Sequence, residues 1–152
     1  MNAPLLPNIN ILLVDDNKDG LVVRKSLLEE MGYHVEVSRS PEEALKLISA
    51  SRFDLIVTDY KMPRMSGTEL IERIRKLDPS ARVILLSGFV DPLGLNEQNT
   101  GADSVIVKSV HEPVNLARAV KRLLNRSTLK KPPGSQRGGR RSRTGTRGNL
   151  AN

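Results

Sequence analysis

The chain has 152 residues, enough to bury one core, and carries 24 basic against 17 acidic residues for a formal net charge of +7. It contains no cysteine, which excludes disulfide staples and thiolate metal sites and fits a reducing compartment. No apolar run approaches the roughly 20 residues needed to span a bilayer, and Met1 to Asn10 show no charged stretch leading into a long apolar one, so a cytoplasmic location without a membrane span is expected.

Ile9–Val14 is an apolar run with one Asn, bounded by Asp15 and Asp16, and predicts a buried strand. Leu21, Leu27, Leu28 and Met31 follow at helical spacing, and Gly32 stops that helix. Val35 and Val37 mark a short second strand. Ser40-Pro41-Glu42-Glu43 then supplies an N-cap, a proline at the first helical position and a glutamate three residues after the cap. Ala44, Leu45 and Ile48 form the inner face of this helix.

Leu55–Thr58 predicts the third strand, ending at Asp59. Ser66-Gly67-Thr68-Glu69 repeats the capping pattern, with Leu70, Ile71, Ile74 and Leu77 at helical spacing until Asp78-Pro79. Val83–Leu86 is the fourth strand, closed by Ser87-Gly88. Between Asp91 and Gly101 apolar anchors are few, so only a short or frayed helix is expected there. Ser104–Val107 is the fifth strand and ends at Lys108. Pro113 opens a last helix with Leu116, Ala117, Val120, Leu123 and Leu124 inside. Strands alternating with helices imply a doubly wound α/β fold with a five-stranded parallel sheet.

The charge is unevenly placed. Eight of the 24 basic residues lie from Arg126 onward with no acid among them, leaving 16 against 17 acids in the first 125 positions. The body is therefore near −1, and inferences about anionic partners belong to the tail alone. That tail is rich in Gly, Arg, Ser, Pro and Thr and cannot offset its ordering entropy by burial. The expected organisation is an N-terminal extension 1–8, one folded domain 9–125 and a basic disordered tail 126–152.

In an open parallel sheet, ligands bind at the carboxyl ends of the strands, where strand order reverses. The residues at those ends are Asp15-Asp16, Asp59, Ser87 and Lys108. Three clustered carboxylates repel one another unless a hard cation neutralises them, and oxygen ligands of this kind suit Mg²⁺. The ammonium and the hydroxyl suit phosphate oxygens. Taken singly, Asp15-Asp16 is a common helix-cap pattern and Asp59 a common turn residue; the combination at successive strand ends is what points to a site. His34 and His111 are too far apart in sequence to suggest a metal site and are expected at the surface. Gly67 and Gly101 are expected at turns with unusual backbone angles.

Over residues 9–125 the chain resembles the receiver domain of bacterial two-component response regulators, through ILLVDDN at 11–17, DLIVTDYKMPRMSG at 54–67, ILLSG at 84–88, GAD at 101–103 and VIVK at 105–108. Each motif is weak alone, but five in this order and spacing are specific. The resemblance implies a flavodoxin-like receiver fold with strand order 2-1-3-4-5. It implies Asp59 as phosphoacceptor, with Asp16, Asp59 and the backbone carbonyl of Lys61 as Mg²⁺ ligands and Asp15 holding the metal's water shell. Ser87 and Lys108 would contact the phosphoryl oxygens. The implied donor is a phosphohistidine on a histidine kinase or a histidine phosphotransfer protein. The implied output is a protein contact on the face of helix four, strand five and helix five, with an output partner the sequence does not name.

Two positions depart from the family pattern. Ser109 stands where the residue after the active-site lysine is usually a cis-proline. A cis bond before a non-proline costs about 2.5–4 kcal/mol, so a trans bond is expected. Val105 stands where a Tyr or Phe usually swings inward, so either the output face signals through backbone shifts or the protein relays phosphate without a strong switch. Phe89 and Lys61 flank the path of an attacking water and are expected to lengthen the life of the acyl phosphate.

Two other functions compete. In one the basic tail makes non-specific contacts with nucleic acid or an anionic surface, as its Arg-Gly stretch 137–141 suggests; the tail has no aromatic for base stacking. In the other the domain docks partners without being phosphorylated. A phosphatase of the haloacid dehalogenase type fits poorly, because that family has a second Asp where Lys61 stands.

Overall fold

Each of the five apolar runs becomes a strand, and each interval between them holds a helix. In this computed structural model, which describes residues 8–88 and 91–129 (for 126–129 the backbone only), the order is β1 Asn10–Val14, α1 Lys18–Glu30, β2 His34–Ser38, α2 Pro41–Ala50 and β3 Leu55–Asp59, followed by α3 Gly67–Leu77, β4 Val83–Ser87, α4 Glu97–Thr100, β5 Ser104–Val107 and α5 Glu112–Leu129. The proposed extension 1–8 except Asn8, residue Phe89, and tail positions 130–152 lie outside the described residues.

All strand pairs are parallel, in the order β2-β1-β3-β4-β5. Strand side chains alternate between two apolar layers. Ile11, Leu13, Val57, Ile84, Leu86 and Ile106 pack with Leu21 and Leu28 of α1 and with Leu116, Val120 and Leu123 of α5. Leu12, Val14, Ile56, Val83 and Leu85 pack on the other face with Ala44 of α2 and with Leu70, Ile71 and Ile74 of α3. Both faces of the sheet are thus covered, which explains why the strands read as continuous apolar runs rather than alternating ones.

Helix starts follow their capping residues. Asn17 caps α1 through a bond from the Gly20 N–H (2.9 Å). Ser66 and Glu69 form the full reciprocal capping box of α3. At α2 only half of the expected box exists. Ser40 Oγ accepts from the Glu43 N–H (3.0 Å), but the Glu43 carboxylate accepts instead from the Arg39 N–H and the Ser38 hydroxyl. Ser38 ends a strand within reach of Glu43, and that competing donor could not be seen from the four-residue motif.

Other expectations shift by small steps. β1 starts at Asn10 rather than Ile9, a boundary difference of the usual size. Leu77, the last residue of α3, is 52% exposed rather than inside. On α5, Ala119 is buried where Ala117 is expected, and the helix continues past the expected domain end at Asn125 to Leu129, so 126–129 are helical rather than the start of the disordered tail. Extending an existing helix costs little, so it need not stop where its apolar stripe stops. The segment before β5 holds only the four-residue α4, as its sparse anchors predict.

Gly101 adopts a left-handed backbone (φ 80°) at the end of α4, as expected. Gly67 does not. Its glycine is required by space: a Cβ there would fall on the Asp59 carbonyl oxygen and lie 2.7 Å from Leu85 Cδ1. Through the Gly67 N–H bond to the Tyr60 carbonyl (2.6 Å), the start of α3 is pressed against the end of β3. This seats the loop that carries Lys61.

Candidate metal and phosphate site

The chain runs from β1 outward to β2 and then crosses back to β3, so strand order reverses between β1 and β3. The carboxyl ends of those two strands carry Asp15, Asp16 and Asp59. One carboxylate oxygen from each lies within 4.8 Å of the others. Asp15 and Asp59 are buried (2% and 5% exposed) and Asp16 is exposed. Lys108, at the end of β5, sends its Nζ to Asp59 Oδ1 as an ion pair.

These groups surround a cavity of about 340 Å³, bordered by Asp15, Asp16, Asp59, Lys61 and Lys108, with Asn17, Gly88 and Asp91 completing the rim. Ser87 ends β4 and is 7% exposed, and its carbonyl accepts from the Lys108 N–H (2.8 Å). It does not border the cavity; Gly88 stands there instead. Val105 is half-buried against the α3 side of the sheet, with its N–H on Glu97 Oε2 (2.9 Å). Among the described residues no peptide bond is cis, so Lys108–Ser109 is trans, and Lys108 still reaches Asp59. His34 and His111 are exposed, as expected.

Four neighbours of the site were not singled out from sequence. Asp91 is 8% exposed and its carboxylate caps the Gly88 N–H. The Asn17 N–H donates to Asp15 Oδ1 (3.0 Å). Arg24 donates from Nη1 to Asp15 Oδ2 (2.8 Å), and its other edge grips Glu112. The signal for Arg24 was present: it falls between Leu21 and Leu28 on the inward face of α1, where a charge has to find a partner.

Burial holds the Asp59 carboxyl above the ordinary carboxylate range, with the charge of Asp15 adding to it. The hydrogen bond and charge of Lys108, and the charge of Arg24, act in the opposite direction without cancelling the rise. A raised carboxyl pKa means that ionised Asp59 destabilises the fold at neutral pH. That cost is relieved as pH falls through the raised value towards the ordinary 3.8. Metal-free Asp59→Asn is therefore expected to melt higher than wild type at pH 7, with the gain vanishing below about pH 3.8. Melting curves across that range check it; a gain independent of pH would point to packing instead.

The donor set fits a hard divalent cation. It consists of carboxylate oxygens with room beside them for further oxygen ligands and no imidazole or thiolate. The four acids of the rim, Asp15, Asp16, Asp59 and Asp91, outnumber Lys61 and Lys108 and leave an excess of negative charge that such an ion would balance. Among the described residues no helix is long and apolar enough to cross a membrane.

An open parallel sheet of this order, with acids at its switch point and a lysine opposite, defines the class of flavodoxin-like doubly wound domains. The response regulator receiver domain model matches residues 11–121, and the chain belongs to that family. It is 33% identical over 124 residues to the gliding motility regulatory protein of Myxococcus xanthus, covering 80% of this chain and 16% of that protein. The receiver domain protein of Clostridium thermocellum shares its fold with a TM-score of 0.72 at 32% identity, over 80% of this chain and 98% of that one. The response regulator TrrA of Thermotoga maritima has a TM-score of 0.68 at 34% identity, over 76% and 98% of the two chains. TrrA has been solved with Mg²⁺-BeF and, separately, in complex with the histidine kinase ThkA. The chain spans about one sixth of the length of the Myxococcus relative.

Proposed function

We propose that this receiver accepts a phosphoryl group on Asp59, in a reaction that needs Mg²⁺, from a phosphohistidine on a histidine kinase or histidine phosphotransfer protein. The observation that carries this reading is the convergence of the Asp15, Asp16 and Asp59 carboxylates with Lys108 paired to Asp59. The complexes of TrrA with Mg²⁺-BeF and with a histidine kinase support the same choice of metal and donor.

Asp16, Asp59 and the Lys61 carbonyl would hold the ion, with Asp15 orienting its water. The bound metal supplies positive charge that offsets the charge of the transferring phosphoryl group. An Asp59 carboxylate oxygen attacks phosphorus in line; an O–P bond forms as the donor's P–N bond breaks, and the imidazole leaves with its electron pair. Lys108 and, after a small movement, Ser87 bind phosphoryl oxygens. With Val105 in place of an aromatic ring, the state of the site would be passed on through backbone shifts.

The surface beside β5 and α5 suits a protein partner. Val107, Val110 and Val114 are 53%, 88% and 53% exposed, next to a groove edged by Arg118 and Arg122. The reading is tested by incubating the full chain with Mg²⁺ and acetyl phosphate and measuring intact mass. One phosphoryl group is expected on wild type, and none with EDTA or in Asp59→Asn. Failure to gain it from both acetyl phosphate and active histidine kinases would favour partner docking without phosphorylation.

A further inference from the structure

Arg24 occupies a position where an amphipathic helix normally carries an apolar residue, and it is 8% exposed. A guanidinium there is costly unless both of its edges are paired. Here both are. Nη1 donates to Asp15 Oδ2 (2.8 Å), while Nε and Nη2 donate to Glu112 Oε2 (2.8 Å) and Oε1 (3.2 Å). The second oxygen of Asp15 takes the Asn17 N–H, so this carboxylate is held from both sides. Gly20 makes the room: a Cβ there would lie 2.8 Å from Arg24 Nη1 and 3.2 Å from Asp15 Oδ2.

Glu112 begins α5, four residues after Lys108. Two links therefore join the acids to the start of α5. One is Lys108 on Asp59; the other runs from Asp15 through Arg24 to Glu112, across 88 residues of sequence.

We propose that Arg24 is a positioning residue that couples Mg²⁺ occupancy of the acid site to the first turn of α5 through Glu112; this rests on the phosphoacceptor reading. Two carboxylates share one guanidinium, so their holds on it compete. A cation that draws on the charge of Asp15 weakens its bond to Arg24 and strengthens the two-pronged grip of Glu112. The planar guanidinium transmits that change because its two edges move together. The route bypasses Val105 and leads directly to the helix that borders the exposed valines.

The test is a Mg²⁺ titration of the full chain followed by amide NMR shifts, in wild type and in Glu112→Gln. In wild type, shifts are expected at Asp16, Asn17 and Tyr60 and also at Glu112, Val114 and Asn115. In Glu112→Gln the first group is retained and the second is lost. Arg24→Lys, whose compact ammonium lacks the planar fork that grips both Glu112 oxygens while holding Asp15, is expected to lose the second group too. If Glu112→Gln does not fold, Arg24→Met/Glu112→Gln removes both charges together and carries the same expectation. α5 shifts that persist in these variants would reduce the triad to a structural clasp and overturn the proposal alone. A wild type in which Mg²⁺ moves no amide would overturn both the proposal and the phosphoacceptor reading.

Discussion

Lys108→Ala is expected to slow phosphoryl uptake from acetyl phosphate by about 100-fold or more, the usual cost of removing one positioned charge-stabilising group. Lys108 is the cation paired with Asp59, and its Nζ meets the carboxylate that, in the proposed reaction, must approach an anionic donor. Its loss has a second consequence with a definite sign. Lys108 opposes the burial and the Asp15 charge that raise the Asp59 pKa, so without it the carboxyl rises further. In the proposed reaction ionised Asp59 is the nucleophile, so the acidic limb of the rate profile should move to higher pH. Rates from intact mass at several pH values read both effects. A rate within threefold of wild type would assign the charge stabilisation to other groups.

Arg24→Ala is expected to destabilise the domain by about 3–5 kcal/mol, the range for breaking a buried ion pair from one side. The side chains concerned are nearly out of water: Arg24 is 10% exposed, Asp15 3% and Glu112 13%. Solvent therefore screens the orphaned carboxylates poorly. Against a total stability of about 5–15 kcal/mol, such a loss is severe. The pair Arg24→Met/Glu112→Gln should recover part of it, because it neutralises Glu112 while Asp15 still keeps a buried carboxylate without its Arg24 partner. Denaturant unfolding of the single and double variants measures the difference. A loss under about 1 kcal/mol in Arg24→Ala would place the triad with the weak, solvent-screened surface pairs.

The two replacements separate chemistry from architecture. Lys108 faces the cavity and its removal should act mainly on rate, whereas Arg24 lies behind Asp15 and its removal should act first on stability. Gly20 makes the second arrangement possible by leaving out a side chain.

The sequence by itself determined the element order, the parallel sheet and the acids at the strand ends. Those features follow from local signals: apolar runs of strand length, helical spacing, capping residues and the rule that parallel sheets bind at carboxyl ends. Asp59 and Lys108 also stand at the ends of β3 and β5, where the apolar runs put them.

What only the tertiary structure decided were pairings between distant segments. The partner of Arg24 at Glu112 is 88 residues away, and no pattern in α1 points to the first turn of α5. The acid Glu43 looked like a capping-box member until Ser38 and Arg39 competed for it. Gly67 looked like a turn glycine, yet what requires it is the Asp59 carbonyl packed against it. Local preference is written in neighbouring residues, whereas steric room and the partner of a buried charge are set by where the chain returns.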